Sequence, residues 1–105
     1  MTFIQEPTHY QKTILSDLQG AWVVLRSSVV DHADLENSDK LLFHIDEAMS
    51  WESVRNLQIM KSTFIIIRNI AVQSGAHKDI LEAIEDIQYH LDDALQSLAD
   101  GELDL

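Results

Sequence analysis

The chain has 105 residues, and its 18 acidic residues outnumber its 7 lysines and arginines, which gives a formal net charge of −11 at pH 7. A charge this negative repels nucleic acid and anionic membranes over long range, so we expect no direct binding to either. The absence of cysteine excludes disulfides and thiolate metal sites. One proline and three glycines are too few for a turn-rich β-sandwich or β-barrel.

Length and composition predict a single domain over residues 1–105, with frayed ends at residues 1–7 and 100–105. No apolar run approaches the roughly 20 residues that span a bilayer. The N-terminal sequence has no basic segment followed by an apolar run, as a signal peptide would. We therefore expect a soluble, cytoplasmic protein with no membrane segment.

The first predicted helix covers residues 8–30. Its apolar residues recur at alternating spacings of three and four, which places them on one face of a helix. This face consists of Leu15, Leu18, Trp22, Leu25 and Val29. Residues 31–39 are rich in capping and turn-forming residues and predict a loop.

A second, short helix is predicted for residues 39–49, with Ser38 or Asp39 as its N-cap. Its buried side consists of Leu41, Leu42, Ile45, Ala48 and Met49. Ser50 follows at once and is predicted to cap the N-terminus of the third helix.

The third predicted helix covers residues 51–74, beginning at Trp51. Residues 63–67 have high strand propensity, but the flanking periodicity and the length of the segment favour a helix. Gly75 suits the left-handed residue that follows many helices. The buried face consists of Leu57, Met60, Phe64, Ile67 and Ala71.

The fourth predicted helix covers residues 77–99, and Gly101 ends it. Residues 77–105 hold nine of the 18 carboxylates against a single base, Lys78. The apolar face opposite these acids consists of Ile80, Ile84, Ile87, Leu91, Ala94 and Leu98.

Helices joined by short loops pack as antiparallel neighbours. The sequence therefore predicts an all-α fold, a small antiparallel helical bundle of three long helices and one short helix, with helix 4 packed on helix 3. The turn near residue 75 sets the register of these two helices. In that register, Arg68 lies near Glu85 and Lys61 lies near Asp92, so the two pairs test it.

Helices 1 and 3 carry more apolar residues than one buried face needs, and helix 3 is apolar around much of its circumference. Uncovered apolar surface on a soluble protein usually marks an interface. We therefore expect a homodimer, the alternative being that helix 2 and the loop before it cover this surface. The expected self-interface consists of Val23, Val30, Ile59, Ile65, Ile66 and Val72.

Helix 4 carries a row of carboxylates away from its apolar face, which we name the acid ridge. It consists of Asp79, Glu82, Asp86, Asp93 and Asp100. Four of the five repeat every seven residues, about 10.5 Å per step at a rise of about 1.5 Å per residue. Such an array on a rigid helix can occupy the nucleic-acid groove of a basic protein. The alternative is the solvated outer face of an amphipathic helix.

The sequence contains no convincing catalytic or cofactor motif. His44 and Glu47 on helix 2, and His90 on helix 4, have neighbours at metal-ligand spacing, but the carboxylates of helix 4 point away from the core. Residues 68–73, RNIAVQ, resemble the RNxxxH motif of HEPN-type ribonucleases, but glutamine replaces the histidine at position 73. We expect neither an enzyme nor a cofactor.

These observations favour a non-enzymatic regulatory protein that docks on a basic protein partner through the acid ridge, in an inhibitor, immunity-type or anti-activator role. One alternative is a metal-binding bundle or enzyme that uses His44, Glu47 and His90. Others are a nucleic-acid mimic and a structural subunit of a larger assembly. Stoichiometric bound metal in the purified protein would favour the first alternative over docking.

Overall fold

The computed structural model describes residues 9–50 and 57–101, with side chains from residue 14 onward. Its helices are α1 (His9–Asp31), α2 (Ser38–Met49), α3 (Leu57–Gln73) and α4 (Lys78–Ala99). The all-α bundle is therefore confirmed, and the described residues contain no β-strand. The predicted start of the third helix, from Trp51 to residue 56, lies outside the described residues, as do residues 1–8 and 102–105.

The four helices form a ring in which each packs on two others. α1 packs most extensively on α4 and α2 on α3, while the contacts of α1 with α2 and of α3 with α4 close the ring. Consequently α1 lies diagonally opposite α3, and α2 lies diagonally opposite α4. The predicted packing of α4 on α3 is correct, but the main neighbour of α4 is α1.

One apolar core receives side chains from all four helices. The predicted faces supply it, although four of their members at the margins are only half-buried: Leu15, Leu42, Met49 and Leu98. Trp22 of α1 is only 1% exposed and reaches across the bundle to α3. Its ring meets Phe64 edge to face with 6.2 Å between centroids, and its indole N–H donates to Met60 Sδ at 3.3 Å.

Ion pairs on the rim report the register of neighbouring helices. Lys61 Nζ lies 3.7 Å from Asp92 Oδ1, which confirms the predicted antiparallel register of α3 and α4. Within the part of the chain that the structure describes, Arg68 forms no ion pair with Glu85. Between α1 and α2, the Arg26 Nε donates to Asp46 Oδ1 at 2.7 Å, and this hydrogen bond raises the pKa of Arg26.

The predicted N-cap of α2 is wrong. The N-cap of α2 is Asn37, in the left-handed conformation at φ 68°, and Ser38 is the first helical residue. Ser50 is the C-cap of α2, with helical dihedral angles (φ −74°, ψ −16°), and the helix start that we expect it to cap lies outside the described residues. Its hydroxyl donates to the carbonyl of Glu47 at 2.6 Å.

The predicted glycine caps of α3 and α4 agree with the structure. Gly75 has φ +67°, its N–H donates to Val72 O, and the N–H of Ala76 donates to Ala71 O. This pair of bonds is a Schellman motif, which satisfies carbonyls at the end of α3. At the end of α4, Asp100 and Gly101, in the tail that we predict to be frayed, cap the helix through bonds to Gln96 O and Leu98 O.

Candidate functional site

A shallow, open groove of about 560 Å³ runs along the surface between α1 and α4. Two small side chains, Ser28 of α1 and Ala83 of α4, are among the residues that line it. Ala83 is buried and Ser28 is half-buried. The lining residues are Val24, Ser28, Asp79, Glu82, Ala83, Glu85, Asp86 and Tyr89.

The groove combines acidic and apolar surface. Four of its eight described lining residues are carboxylates and none is basic. Val24 is 55% exposed and Tyr89 is 68% exposed, so an aliphatic and an aromatic side chain stand beside the acids in contact with solvent. An arrangement of this kind can bind a cation that also carries apolar surface.

Three of the groove carboxylates have basic neighbours at the same distance of 3.7 Å. Asp79 Oδ2 faces His32 Nε2, Glu82 Oε2 faces Lys78 Nζ, and Asp86 Oδ1 faces His90 Nε2. Exposed pairs of this length contribute about 0–1 kcal/mol each. A partner's lysine or arginine can therefore displace them at little cost.

The acid ridge is exposed along its whole length, as its position opposite the apolar face requires. Asp79, Glu82 and Asp86 line the groove, while Asp93 and Asp100 continue the row toward the C-terminal end of α4. Asp100 accepts a hydrogen bond from Gln96 Nε2 at 3.0 Å. Glu85, which is not part of the acid ridge, also lines the groove.

All six residues of the expected self-interface are exposed in the isolated chain. The structure does not bring them together, because α1 and α3 lie at opposite corners of the ring. Val23 and Val30 lie on α1, and the other four lie on α3. Helix 3 is therefore not a central buried helix; it has one buried face and one solvent-exposed face with aliphatic edges.

The residues named for the metal-binding alternative are also separated. His44 Nδ1 lies 3.3 Å from Glu47 Oε1 on α2, whereas His90 pairs with Asp86 on α4. Because α2 and α4 lie diagonally opposite each other in the ring, these groups do not converge on one site. A different set of possible ligands, His32, Asp34 and His77, does converge at the end of the bundle where the loops lie.

Neither the α1 wall of the groove nor this histidine cluster was predicted from the sequence. Both depend on which helices are neighbours, and residues from distant parts of the chain form them. Small residues at positions 28 and 83 and a repeated His-x-Asp sequence at 32–34 and 77–79 were the available signals.

Comparisons with models of known protein families, with curated proteins and with solved structures find no match for this chain. Among the described helices, none is both long and apolar enough to cross a membrane.

Proposed function

We propose that this protein is a non-enzymatic binding protein that docks a basic segment of another protein in the groove between α1 and α4. The observation that carries the proposal is the composition of the groove. Four carboxylates surround an exposed aromatic and an exposed aliphatic side chain, and no basic residue is among the described lining residues.

The spacing of the acids suits a helical or extended basic segment. Asp79, Glu82 and Asp86 are three and four residues apart, so they follow one another by about 4.5 Å and about 6 Å along α4. Lysines or arginines at similar intervals on a partner could each face one carboxylate. Their aliphatic stems can cover Val24, and a guanidinium or ammonium can stack on the ring of Tyr89.

The charge of the whole chain adds to the local fit. A net charge of −11 attracts a basic partner over long range and raises the association rate, and salt screens this effect. Asp93 and Asp100 extend the acidic row beyond the groove, so a longer basic segment could use them as well. The absence of cysteine is consistent with a reducing compartment. We therefore propose that the binding takes place in the cytoplasm.

The test compares two triple variants with the same net charge. The groove variant is Asp79→Asn, Glu82→Gln and Asp86→Asn. The control changes three other acids to their amides and leaves the groove intact. These are Glu36, Asp39 and Glu47, which lie on α2 or next to it, diagonally opposite α4. The probe is a synthetic amphipathic helical peptide with a lysine row and a leucine row.

We expect the groove variant to bind the peptide about tenfold or more weakly than the unchanged chain, since three contacts of about 0.5–1 kcal/mol each are lost. The control should bind the peptide at most about threefold more weakly, because only the long-range attraction is reduced. Equal losses in the two variants would show that binding follows net charge and not the groove, and would overturn the proposal.

We also propose a homodimer, now restricted to the exposed face of α3. This helix contains no carboxylate in a chain that has 18, and its charged residues are Lys61 and Arg68. Two copies can therefore meet there without bringing acids of this helix together, whereas contact through the exposed face of α4 would juxtapose carboxylates. The exposed aliphatic residues of the face are Ile59, Ile65, Ile66 and Val72.

These four side chains are each only 45–62% exposed, so we expect a weak dimer with dissociation in the micromolar range. Sedimentation equilibrium over that range tests it. Ile66→Glu should abolish the dimer, and the matched control Val23→Glu on α1 should leave it intact. A monomer at all concentrations, or loss of the dimer only in Val23→Glu, would refute the α3 interface.

A further inference from the structure

Two His-x-Asp sequences meet at one end of the bundle. His32 and Asp34 lie in the connection between α1 and α2, and His77 and Asp79 lie where α4 begins after the connection from α3. Because the helices alternate in direction, these two connections share an end. Asp79 also lines the groove, whereas His32, Asp34 and His77 are not among its described lining residues.

The side chains of this cluster lie close to one another, and the two histidine rings are in contact. The imidazole rings of His32 and His77 stack with 3.9 Å between their centroids and 17° between their planes. One ligand atom from each of His32, Asp34 and His77 lies within 4.8 Å of the others. Asp79 Oδ2 lies 3.7 Å from His32 Nε2.

We propose that His32, Asp34 and His77 bind a divalent transition metal ion, with Asp79 as a possible fourth ligand. Two imidazoles and one or two carboxylates are a donor set typical of Zn²⁺ and its neighbours in the first transition row. Calcium and magnesium prefer sites made of oxygen atoms alone, so the two histidines argue against those ions.

The distances require only a modest closure. Ligands about 2.0–2.2 Å from a tetrahedral zinc ion are about 3.3–3.6 Å apart, so ligand atoms that lie within 4.8 Å of one another must approach by up to about 1.5 Å. The two rings must also rotate out of their stack so that a nitrogen of each points to the same ion. Asp34 and His77 are exposed and His32 is half-buried, so neither change disturbs the core.

The backbone around the cluster is held in place. The N–H of His32 donates to Val29 O at 3.1 Å, and the carbonyl of His32 accepts from the N–H of Leu35 at 2.9 Å. Asn37 Nδ2 donates to Ser74 Oγ at 3.0 Å, which ties the two connections together. Since a side-chain hydrogen bond already links the two connections, a metal ion would need to order few further groups on binding.

The experiment is a calorimetric titration of the full chain, first freed of metal with a chelator, with ZnCl₂, together with thermal unfolding with and without zinc. Co²⁺ serves as a second probe, because its visible absorption reports the geometry of its ligands. His32→Ala and His77→Ala test the site. The matched controls are His44→Ala and His90→Ala, which remove the same side chain elsewhere on the surface.

We expect one zinc ion per chain, a higher unfolding temperature with zinc because the ion binds the folded state, and nitrogen coordination in the cobalt spectrum. His32→Ala and His77→Ala should each weaken binding about tenfold or more, while the two controls bind as tightly as the unchanged chain. Circular dichroism checks that all four variants fold. No binding to the unchanged chain, or equal weakening in the control variants, would overturn the proposal.

Discussion

The indole N–H of Trp22 allows a direct test of how the core is assembled across the bundle. Trp22 lies in α1 and is almost completely buried, and its N–H donates to the sulfur of Met60 in α3 at 3.3 Å. Met60→Leu retains an apolar side chain of similar volume but removes the acceptor. A buried donor left without a partner costs about 1–3 kcal/mol, and the lower end applies because a thioether is a weak acceptor.

We therefore expect Met60→Leu to lower the free energy of unfolding by about 1–2 kcal/mol, once a repacking cost is included. In a Trp22→Phe background there is no N–H to leave unpaired, so the same change should cost about 1 kcal/mol less. Phenylalanine at position 22 retains an aromatic ring to face Phe64, so the aromatic contact is not lost in the comparison.

The assay is urea unfolding of the four members of this double-mutant cycle, followed by circular dichroism. Met49→Leu, at a half-buried position in α2, is the matched control and should change stability by about 0.5 kcal/mol or less. We expect a coupling energy near 1 kcal/mol between the two changes, which corresponds to a difference of roughly 4–8 °C in the melting temperature of a chain this small. If the two changes were additive within about 0.3–0.5 kcal/mol, the proposed contact would make no contribution.

Three further predictions concern single positions. Gly75→Ala should destabilise the protein by about 1 kcal/mol or more, since φ is +67° there; an unchanged urea midpoint would contradict this. Gly20→Ala should stabilise it by about 0.5–1 kcal/mol, because the added methyl group lies inside α1 and meets no atom within 4 Å; a loss of stability would contradict open space there. Lys61→Ala should cost less than about 1 kcal/mol, and less still in high salt, because its pair with Asp92 is exposed; a larger, salt-independent loss would mean that the pair is not a surface interaction.

The helices and their buried faces could be predicted because they depend on local periodicity. Apolar residues three and four apart define a face wherever the helix packs, and Gly75 and Gly101 adopt the positive φ that favours glycine at these ends. Helix N-termini were harder to predict than helix C-termini. The N-cap of α2 is Asn37 in the left-handed conformation, and not Ser38 or Asp39.

The order of the helices around the ring could not be derived from the same pattern. Periodicity gives the direction of the buried face but not the identity of the neighbour on each side, so the extensive packing of α1 on α4 was missed. The same limit separates the two halves of the expected self-interface. Val23 and Ile66 both look like surplus apolar residues in the sequence, yet they lie at opposite corners of the bundle.

The candidate site, too, could be predicted from the sequence only in part. The exposure of Asp79, Glu82 and Asp86 follows from their position on α4, opposite its apolar face, so the acid ridge was identifiable from residues in one helix. The groove needs a second wall from α1, including Val24, and the histidine cluster joins positions 45 residues apart. Residues this far apart in sequence come together only through the fold.

The most direct test of the docking proposal is the location of a bound basic peptide, measured from backbone amide chemical shifts of the isotopically labelled chain during titration. We expect saturable shifts at Val24 and Ser28 of α1 and at residues 79–89 of α4, which together frame the groove. Shifts concentrated on α2 or α3, or spread evenly over all exposed acids, would contradict it.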